Sequence, residues 1–90
     1  MKVLYDPEFI SKVKKSNVLI RKSFREKISI FQNNPADPAL NNHLLKRNYQ
    51  GFRSIDITSD WRAIYVEKTE GPNKVAYFVA LGTHDMLYSS

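Results

Sequence analysis

The chain has 90 residues, 42% of them hydrophobic and 26% charged, which predicts one folded domain over residues 1–90 and excludes a disordered chain. Because it has no cysteine, and because its longest apolar run is the seven residues Val75–Leu81, we exclude disulfides, thiolate chemistry and a membrane-spanning helix. The net charge of +5 comes from residues 1–27, which hold eight basic and three acidic residues. This positive region suits nucleic acid or an acidic protein, or it simply keeps the domain soluble. Since no apolar segment typical of a secretory signal follows Met1, we expect a cytoplasmic protein.

Two helices are predicted in the N-terminal half, after a short strand at Lys2–Tyr5. Asp6-Pro7-Glu8 is typical of a helix start, because it combines a capping side chain, a proline for the first position and an acid near the positive end of the dipole. Asn17 marks a break or the cap of a second helix, which ends before Pro35. Apolar residues recur in that second helix at spacings of four, four and three, and its other faces are basic. These apolar residues are Ile20, Phe24, Ile28 and Phe31.

The pattern changes from helical to strand-like after a loop at Ala36–Asn42. A strand or an extended arm is predicted at Leu44–Tyr49, and three further strands at Phe52–Thr58, Trp61–Glu67 and Val75–Leu81. Ser59-Asp60 and Glu70-Gly71-Pro72-Asn73 predict tight turns, and Asp85–Ser90 a short tail. Helices followed by strands predict an α+β fold, with two N-terminal helices packed on one face of a small, mostly antiparallel sheet.

Ionisable side chains concentrate in the strand half of the chain. Imidazole and carboxylate groups exchange protons near neutral pH, and a guanidinium stabilises charge on a phosphoryl oxygen. Together they suit a metal-free transesterification of RNA, in which a base takes the 2′-hydroxyl proton and an acid protonates the leaving 5′-oxygen. The candidates are His43, Asp56, Asp60, Arg62, His84 and Tyr88.

Most of these residues also have a purely structural interpretation. A lone histidine is more often a surface residue than a catalyst, Asp60 can cap its own turn, and Tyr88 can anchor the tail. Arg53 shares strand parity with two isoleucines and can extend beneath the sheet, and Trp61 favours core or edge packing over base stacking. Two histidines and two aspartates offer zinc ligands, but their spacing matches no metal signature, so we predict no metal and no cofactor.

Four motifs follow one another in the second half of the chain. They are His43-Leu44-Leu45-Lys46, Gly51-Phe52-Arg53-Ser54, Asp60–Tyr65 and Leu81–Tyr88. In order and approximate spacing they resemble the RelE/ParE superfamily of toxins, most closely the YafQ-type branch of bacterial type II toxin–antitoxin systems. The resemblance covers most of residues 20–90. It implies a RelE-like fold and a ribosome-dependent mRNA endonuclease that is silenced by a cognate antitoxin wrapped around it.

The resemblance also implies roles for single residues. His43, Asp60 and His84 match the family's His-x-Leu histidine, Asp-Trp aspartate and Gly-Thr-His histidine. Arg62 matches an arginine that contacts the scissile phosphate, and Tyr88 a terminal aromatic that orients the substrate or stacks on a base. We therefore expect His84 to be the general acid and Asp60 or His43 the base, with the reverse assignment open.

Two positions depart from the family pattern. Asp56 stands where the YafQ branch often has a second strand histidine, and Ala80 where it often has an arginine. The lost arginine removes a phosphate-stabilising charge, which Arg62 can replace. We expect further substrate contacts from Asp56, Trp61, Lys46 and Arg53.

The expected partners are a cognate antitoxin, the ribosome and mRNA, with no membrane and no stoichiometry implied. The basic helices at 7–32 are expected to dock on ribosomal RNA. Two alternatives stay open at this point. One is a ParE-like toxin that poisons DNA gyrase, and the other is a degenerate module that only binds an antitoxin or RNA. The departures at Asp56 and Ala80 favour the degenerate module.

Overall fold

Two N-terminal helices and a five-stranded sheet make up most of the computed structural model, which describes residues 1–88. The helices are α1 (Pro7–Lys15), α2 (Val18–Asn33) and the short α3 (His84–Tyr88). The strands are β1 (Lys2–Tyr5), β2 (His43–Leu44), β3 (Arg53–Asp56), β4 (Trp61–Glu70) and β5 (Asn73–Thr83). Their order in the sheet is β1-β5-β4-β3-β2, and only β1 and β5 pair in parallel within residues 1–88. The α+β fold and the mostly antiparallel sheet predicted from the sequence are confirmed.

Side-chain caps define the starts of α1 and α2. The Asp6 carboxylate accepts a hydrogen bond from the Glu8 backbone N–H at 3.0 Å, and the Asn17 amide oxygen accepts one from the Ile20 N–H at 3.0 Å. Each bond satisfies an N–H group that has no partner within its own helix. Helix α2 ends at Asn33, two residues before Pro35, as predicted.

The hydrophobic core lies between these helices and one face of the sheet. Phe31 of α2 packs against Phe78 of β5 and Tyr65 of β4, with ring centroids 5.4 Å and 5.0 Å apart. Ile55 of β3 and Ala63 of β4 point into the same core. Because side chains alternate along a strand, the neighbours of these residues point to the opposite face, which α1 and α2 do not cover. We call it the face opposite α1 and α2, and the other one the helix-covered face. The face opposite α1 and α2 carries Ser54, Asp56, Arg62 and Ile64.

Two segments differ from their predicted structure. The strand or extended arm predicted at Leu44–Tyr49 was wrong over most of its length, since Arg47 adopts a left-handed φ of 60° and begins a 3₁₀ turn at Arg47–Tyr49. The tail predicted at Asp85–Ser90 was wrong over its first four residues, which belong to α3. The Thr83 hydroxyl accepts a hydrogen bond from the Met86 N–H at 3.2 Å and so caps this short helix. Residues 89 and 90 lie outside the described residues.

The hairpin between β4 and β5 agrees with its predicted turn. The two strands are joined by Gly71 and Pro72, and Gly71 takes a φ of 60° that favours glycine. Within residues 1–88, no helix is both long and apolar enough to cross a membrane.

Candidate functional site

A groove of about 310 Å³ opens on the face opposite α1 and α2, between β2, the segment after it, β4 and α3. Two leucines, at positions 44 and 45, supply its apolar lining. Its polar lining residues are His43, Lys46, Arg62, His84 and Tyr88. The groove thus presents two imidazoles, two cations and a phenol, and among residues 1–88 no carboxylate lines it. All five polar residues were candidates from the sequence.

The register of the sheet brings these distant residues together. His43 of β2 pairs with Ser54 of β3, which in turn pairs with Ile64 of β4. Arg62 pairs with Gly82 of β5, two residues before His84 begins α3. Directly paired residues share a face of the sheet, so residues from three strands converge on one surface.

His43 is held with one ring nitrogen engaged. Its Nδ1 lies 2.8 Å from the backbone carbonyl of Asn41, and this short contact requires a proton on Nδ1, because the carbonyl only accepts. The neutral ring therefore keeps its lone pair on Nε2. Asn41 adopts a left-handed φ of 47°, a conformation that asparagine tolerates better than most residues. His43 is exposed, so Nε2 is accessible to a substrate proton.

His84 projects from the first position of α3 and is 72% exposed. Its ring centroid lies 4.6 Å from that of Tyr88, one turn later in the same helix. Its Nδ1 lies 3.9 Å from the carboxylate of Asp85. Tyr88 packs edge-on against Tyr49, with centroids 6.0 Å apart, so aromatic contact holds the His84 side of the groove.

Arg62 makes many contacts with its own hairpin. Its Nε lies 3.0 Å from Oδ1 of Asp56, and both side chains are largely buried, at 20% and 24% exposure. Its Nη1 donates to the carbonyl oxygens of Thr58, Ser59 and Trp61 at 2.9–3.2 Å. Within residues 1–88 the second terminal nitrogen, Nη2, forms no hydrogen bond. The guanidinium is thus fixed in orientation, and Asp56 offsets its charge.

Asp60 lies in a neighbouring depression of about 360 Å³ rather than in the groove. This depression also has Ser59, Thr83 and Asp85 in its wall, and His84 separates it from the groove. The Asp60 backbone N–H donates to the Thr58 hydroxyl at 3.3 Å, so Thr58 caps this turn, whereas the structural interpretation had given that role to the Asp60 side chain. Asp60 is exposed and shares the wall of the depression with His84.

Arg53 and Trp61 lie on the helix-covered face. Nε of Arg53 donates to the Asn42 side-chain oxygen at 2.8 Å, and Asn42 in turn donates to the Tyr65 hydroxyl at 2.7 Å. Burial raises the pKa of Tyr65 despite these partners. The Trp61 side chain packs against the hydrophobic core. The structure therefore does not bring either residue to the groove, and both placements agree with their structural interpretations.

Three residues near the groove were not among the candidate site residues predicted from the sequence. Asn41 orients His43, Tyr49 packs on Tyr88, and Arg47 lies exposed next to Lys46. The signal for the first was the pair Asn41-Asn42 directly before His43, since asparagine is enriched in left-handed turns. No cluster of three or more histidine, aspartate or glutamate residues able to hold a metal occurs among residues 1–88.

A family model described as a bacterial toxin of type II toxin–antitoxin systems, YafQ, matches residues 5–89. No curated protein sequence matches the chain significantly. The chain is similar in fold to a YoeB/ParE toxin from Agrobacterium tumefaciens, with a TM-score of 0.73 at 16% identity over 93% of this chain and 99% of that one. It is also similar to YafQ of E. coli strain BL21(DE3), with a TM-score of 0.72 at 22% identity over 97% of each chain. For the E. coli DinJ–YafQ complex the TM-score is 0.64, at 23% identity over 97% of each chain.

Proposed function

Because the chain belongs to the YafQ family of bacterial type II toxins, we propose that it is a ribosome-dependent mRNA endonuclease. One observation carries this proposal. Two histidines line a single groove together with Lys46 and Arg62, and no carboxylate of the described part of the chain lines it to repel a phosphate. Transesterification of a phosphodiester by general acid–base catalysis requires a base, an acid and cations around one cavity.

The reaction uses the 2′-hydroxyl of the RNA itself as nucleophile. Nε2 of His43 takes the hydroxyl proton as the 2′-oxygen attacks the phosphorus atom. Protonated His84 donates its proton to the leaving 5′-oxygen as the P–O5′ bond breaks. The products are a 2′,3′-cyclic phosphate and a 5′-hydroxyl, and one proton has passed from the substrate to His43 and another from His84 to the product. The mechanism needs no metal ion.

The remaining residues bind and orient the substrate. The Lys46 ammonium and the Nη2 edge of Arg62 offer donors to the phosphate oxygens, where negative charge grows in the transition state. Tyr88 holds the His84 ring through their contact at 4.6 Å. Asp60 is assigned a positioning role beside His84, because it lies in the neighbouring depression and His43 already has its lone pair available.

The basic outer surface of the helices supports a ribosomal RNA contact. Five exposed cations lie on α1 and α2, on the side of the molecule away from the groove. They are Lys12, Lys14, Lys15, Lys22 and Arg25. Such cations bind phosphates without reading sequence and make the association sensitive to salt. The protein would thus hold ribosomal RNA on one side and mRNA on the other.

A cognate antitoxin is the proposed regulator. The similar YafQ of E. coli has a solved structure as the DinJ–YafQ complex, and the net charge of +5 favours an acidic partner. An antitoxin segment over the groove would occupy the cations and imidazoles that the substrate needs. This pairing, like the cleavage itself, is expected to take place in the cytoplasm.

Programmed ribosomes provide the direct test. The purified chain is incubated with ribosomes carrying a defined mRNA, and the ends of the fragments are mapped and their chemistry determined. We expect cleavage that requires the ribosome and leaves 2′,3′-cyclic phosphate ends. In induced cells, DNA breaks with intact transcripts would instead indicate a gyrase poison. Intact transcripts and intact DNA would indicate a module that only binds.

A further inference from the structure

A second depression of about 370 Å³ adjoins the groove on the side of the loop between β2 and β3. It is lined by Lys46, Arg47, Asn48, Tyr49, Leu87 and Tyr88. It shares Lys46 and Tyr88 with the groove, so the two cavities are neighbours around the same pair of side chains. Both of its charged lining residues are cationic, and its volume is in the range of small-molecule sites.

The loop that forms this depression is held by its own backbone. The Leu45 N–H donates to the Phe52 carbonyl at 2.8 Å and closes the loop, and the Leu45 side chain is buried at 8% exposure. Inside it, the Gln50 N–H donates to the Arg47 carbonyl at 3.0 Å. With a φ of 60°, Arg47 turns the chain sharply, and its side chain is exposed beside Lys46. The cation is therefore presented by an ordered turn.

Aromatic rings extend from the groove into this depression. The His84 ring contacts Tyr88 at 4.6 Å between centroids, and Tyr88 contacts Tyr49 at 6.0 Å with the two planes nearly perpendicular. Aromatic side chains bind unstacked RNA bases on their faces or edges, and arginine and lysine bind the phosphates between them. A cavity with two tyrosines, an amide and two cations beside the proposed cleavage groove has the chemistry of a nucleotide site.

We propose that this depression binds the nucleotide adjacent to the cleaved linkage, with its base against Tyr49 and its phosphate on Arg47. Lys46 then contacts the phosphate shared by the two sites, and the Asn48 amide faces the edge of the base. This inference rests on the proposed function, because it assigns the substrate a second point of attachment next to His43 and His84.

The test measures binding without cleavage. Oligonucleotides of one to four residues with 2′-O-methyl groups lack the nucleophilic hydroxyl, and their affinity for the purified chain is followed by fluorescence anisotropy. We expect the second nucleotide to increase affinity by about tenfold, the usual scale of one stacked base. Arg47→Ala and Tyr49→Leu should each lose most of that increase. Tyr49→Phe should retain it, because the ring remains.

Two further variants separate binding from folding. Lys2 is an exposed lysine of β1, at the sheet edge opposite β2 and outside both proposed RNA surfaces, so Lys2→Ala is the control and should keep the full increase. Arg47→Gly removes the cation at a left-handed position that glycine accepts readily, so its denaturation midpoint should not fall below that of the unmodified chain. Weaker dinucleotide binding by this variant then cannot come from unfolding.

An equal gain from the second nucleotide in the unmodified chain, Arg47→Ala and Tyr49→Leu would overturn the inference. This readout is independent of the ribosome and of cleavage. If the protein cuts mRNA but shows no such gain, the second nucleotide site is refuted and the proposed function is not. If it shows the gain but cuts no mRNA, the proposed function is refuted and the nucleotide site is supported.

Discussion

Asp56 and Arg62 face each other across β3 and β4, with Oδ1 of Asp56 3.0 Å from Nε of Arg62. This contact explains how an acidic residue can lie next to a groove that is proposed to bind RNA. The carboxylate and the guanidinium neutralise one another, and the backbone carbonyls of the β3–β4 turn hold the guanidinium from its other side. The Arg62 guanidinium therefore has a fixed orientation at the groove, and the nearby Asp56 carboxylate offsets part of its positive charge.

The Asp56–Arg62 pair should contribute measurably to stability. Because both side chains are largely buried, a double-mutant cycle with Asp56→Asn and Arg62→Gln should give a coupling free energy of about 1–2 kcal/mol. The pair formed by Lys2 and Glu70 is 60% and 55% exposed and serves as the control, with less than about 0.5 kcal/mol expected. Urea unfolding of all variants measures both values. Equal coupling free energies in the two pairs would mean that the Asp56–Arg62 pair stabilises the fold no more than an exposed ion pair does.

Replacing either histidine should abolish cleavage without unfolding the chain. His43→Gln and His84→Gln remove the proposed base and acid, and the loss of one proton-transfer group costs about 10²–10⁴-fold in rate. Both residues are exposed, so the denaturation midpoint should stay near that of the unmodified chain. Cleavage on programmed ribosomes is the measurement. A variant that cuts mRNA at the original rate removes its histidine from the mechanism.

Two cations on opposite faces of the sheet should behave differently. Lys46 lines the groove, so Lys46→Gln should weaken oligonucleotide binding and reduce the salt dependence by about one phosphate contact. Arg53 donates to Asn42 on the helix-covered face, so Arg53→Gln should lower stability by about 1 kcal/mol with RNA affinity unchanged. Anisotropy titrations at several salt concentrations distinguish them. A salt slope reduced equally by both changes would mean that Arg53 reaches the RNA.

The hydroxyl of Ser54 is a weak point of the sheet. Ser54 is fully buried, and its Oγ has no hydrogen-bond partner within residues 1–88. A buried polar group without a partner costs about 1–3 kcal/mol, so Ser54→Ala should raise the free energy of unfolding by about 1 kcal/mol. Ser16 is also buried, but its hydroxyl donates to the Lys12 carbonyl at 2.8 Å, and Ser16→Ala should lower stability. Urea unfolding should therefore give changes of opposite sign in the free energy of unfolding for the two variants. If both variants were less stable than the unmodified chain, the Ser54 hydroxyl would not be an unsatisfied group.

Alkaline pH should destabilise the fold through its buried tyrosines. Burial raises the pKa of Tyr65 above its ordinary value of 10.0, because it disfavours the ionised ring. The folded state then holds its proton after the unfolded state has lost it. The stabilisation is complete below pH 10 and is lost as the pH rises towards the pKa of the folded chain. Melting temperatures above pH 9 should fall less steeply for Tyr65→Phe, and parallel curves would show that Tyr65 does not contribute.

Features that depend on a few neighbouring residues were predictable from the sequence. The caps at Asp6 and Asn17 act within three residues, and the Gly71-Pro72 turn follows from its own composition. Alternation along β3 was enough to place Arg53 with the isoleucines that face the core. The five polar residues of the groove could be named, because the motifs that contain them follow one another in the order of the resembling family.

Features that depend on the pairing of strands were not predictable. The contact between Asp56 and Arg62 requires the register of β3 and β4, and only that register shows that the acid is neutralised. The left-handed turn at Arg47 has no glycine at that position to indicate it in the sequence, so Leu44–Tyr49 resembled one continuous extended segment. Asp60 was expected beside the other candidate residues, but it lines a separate depression that shares only His84 with the groove, and this separation depends on the folded chain.

The parallel pairing of β1 with β5 has a consequence for the timing of synthesis. Lys2 lies beside Val75, so β1 can pair with β5 only after β5 has been synthesised. His84 and Tyr88 are synthesised later still. A nascent chain therefore has no complete groove until α3 has been translated. Under the proposed function, a nascent chain that has not yet reached α3 lacks both His84 and Tyr88 and cannot cleave RNA.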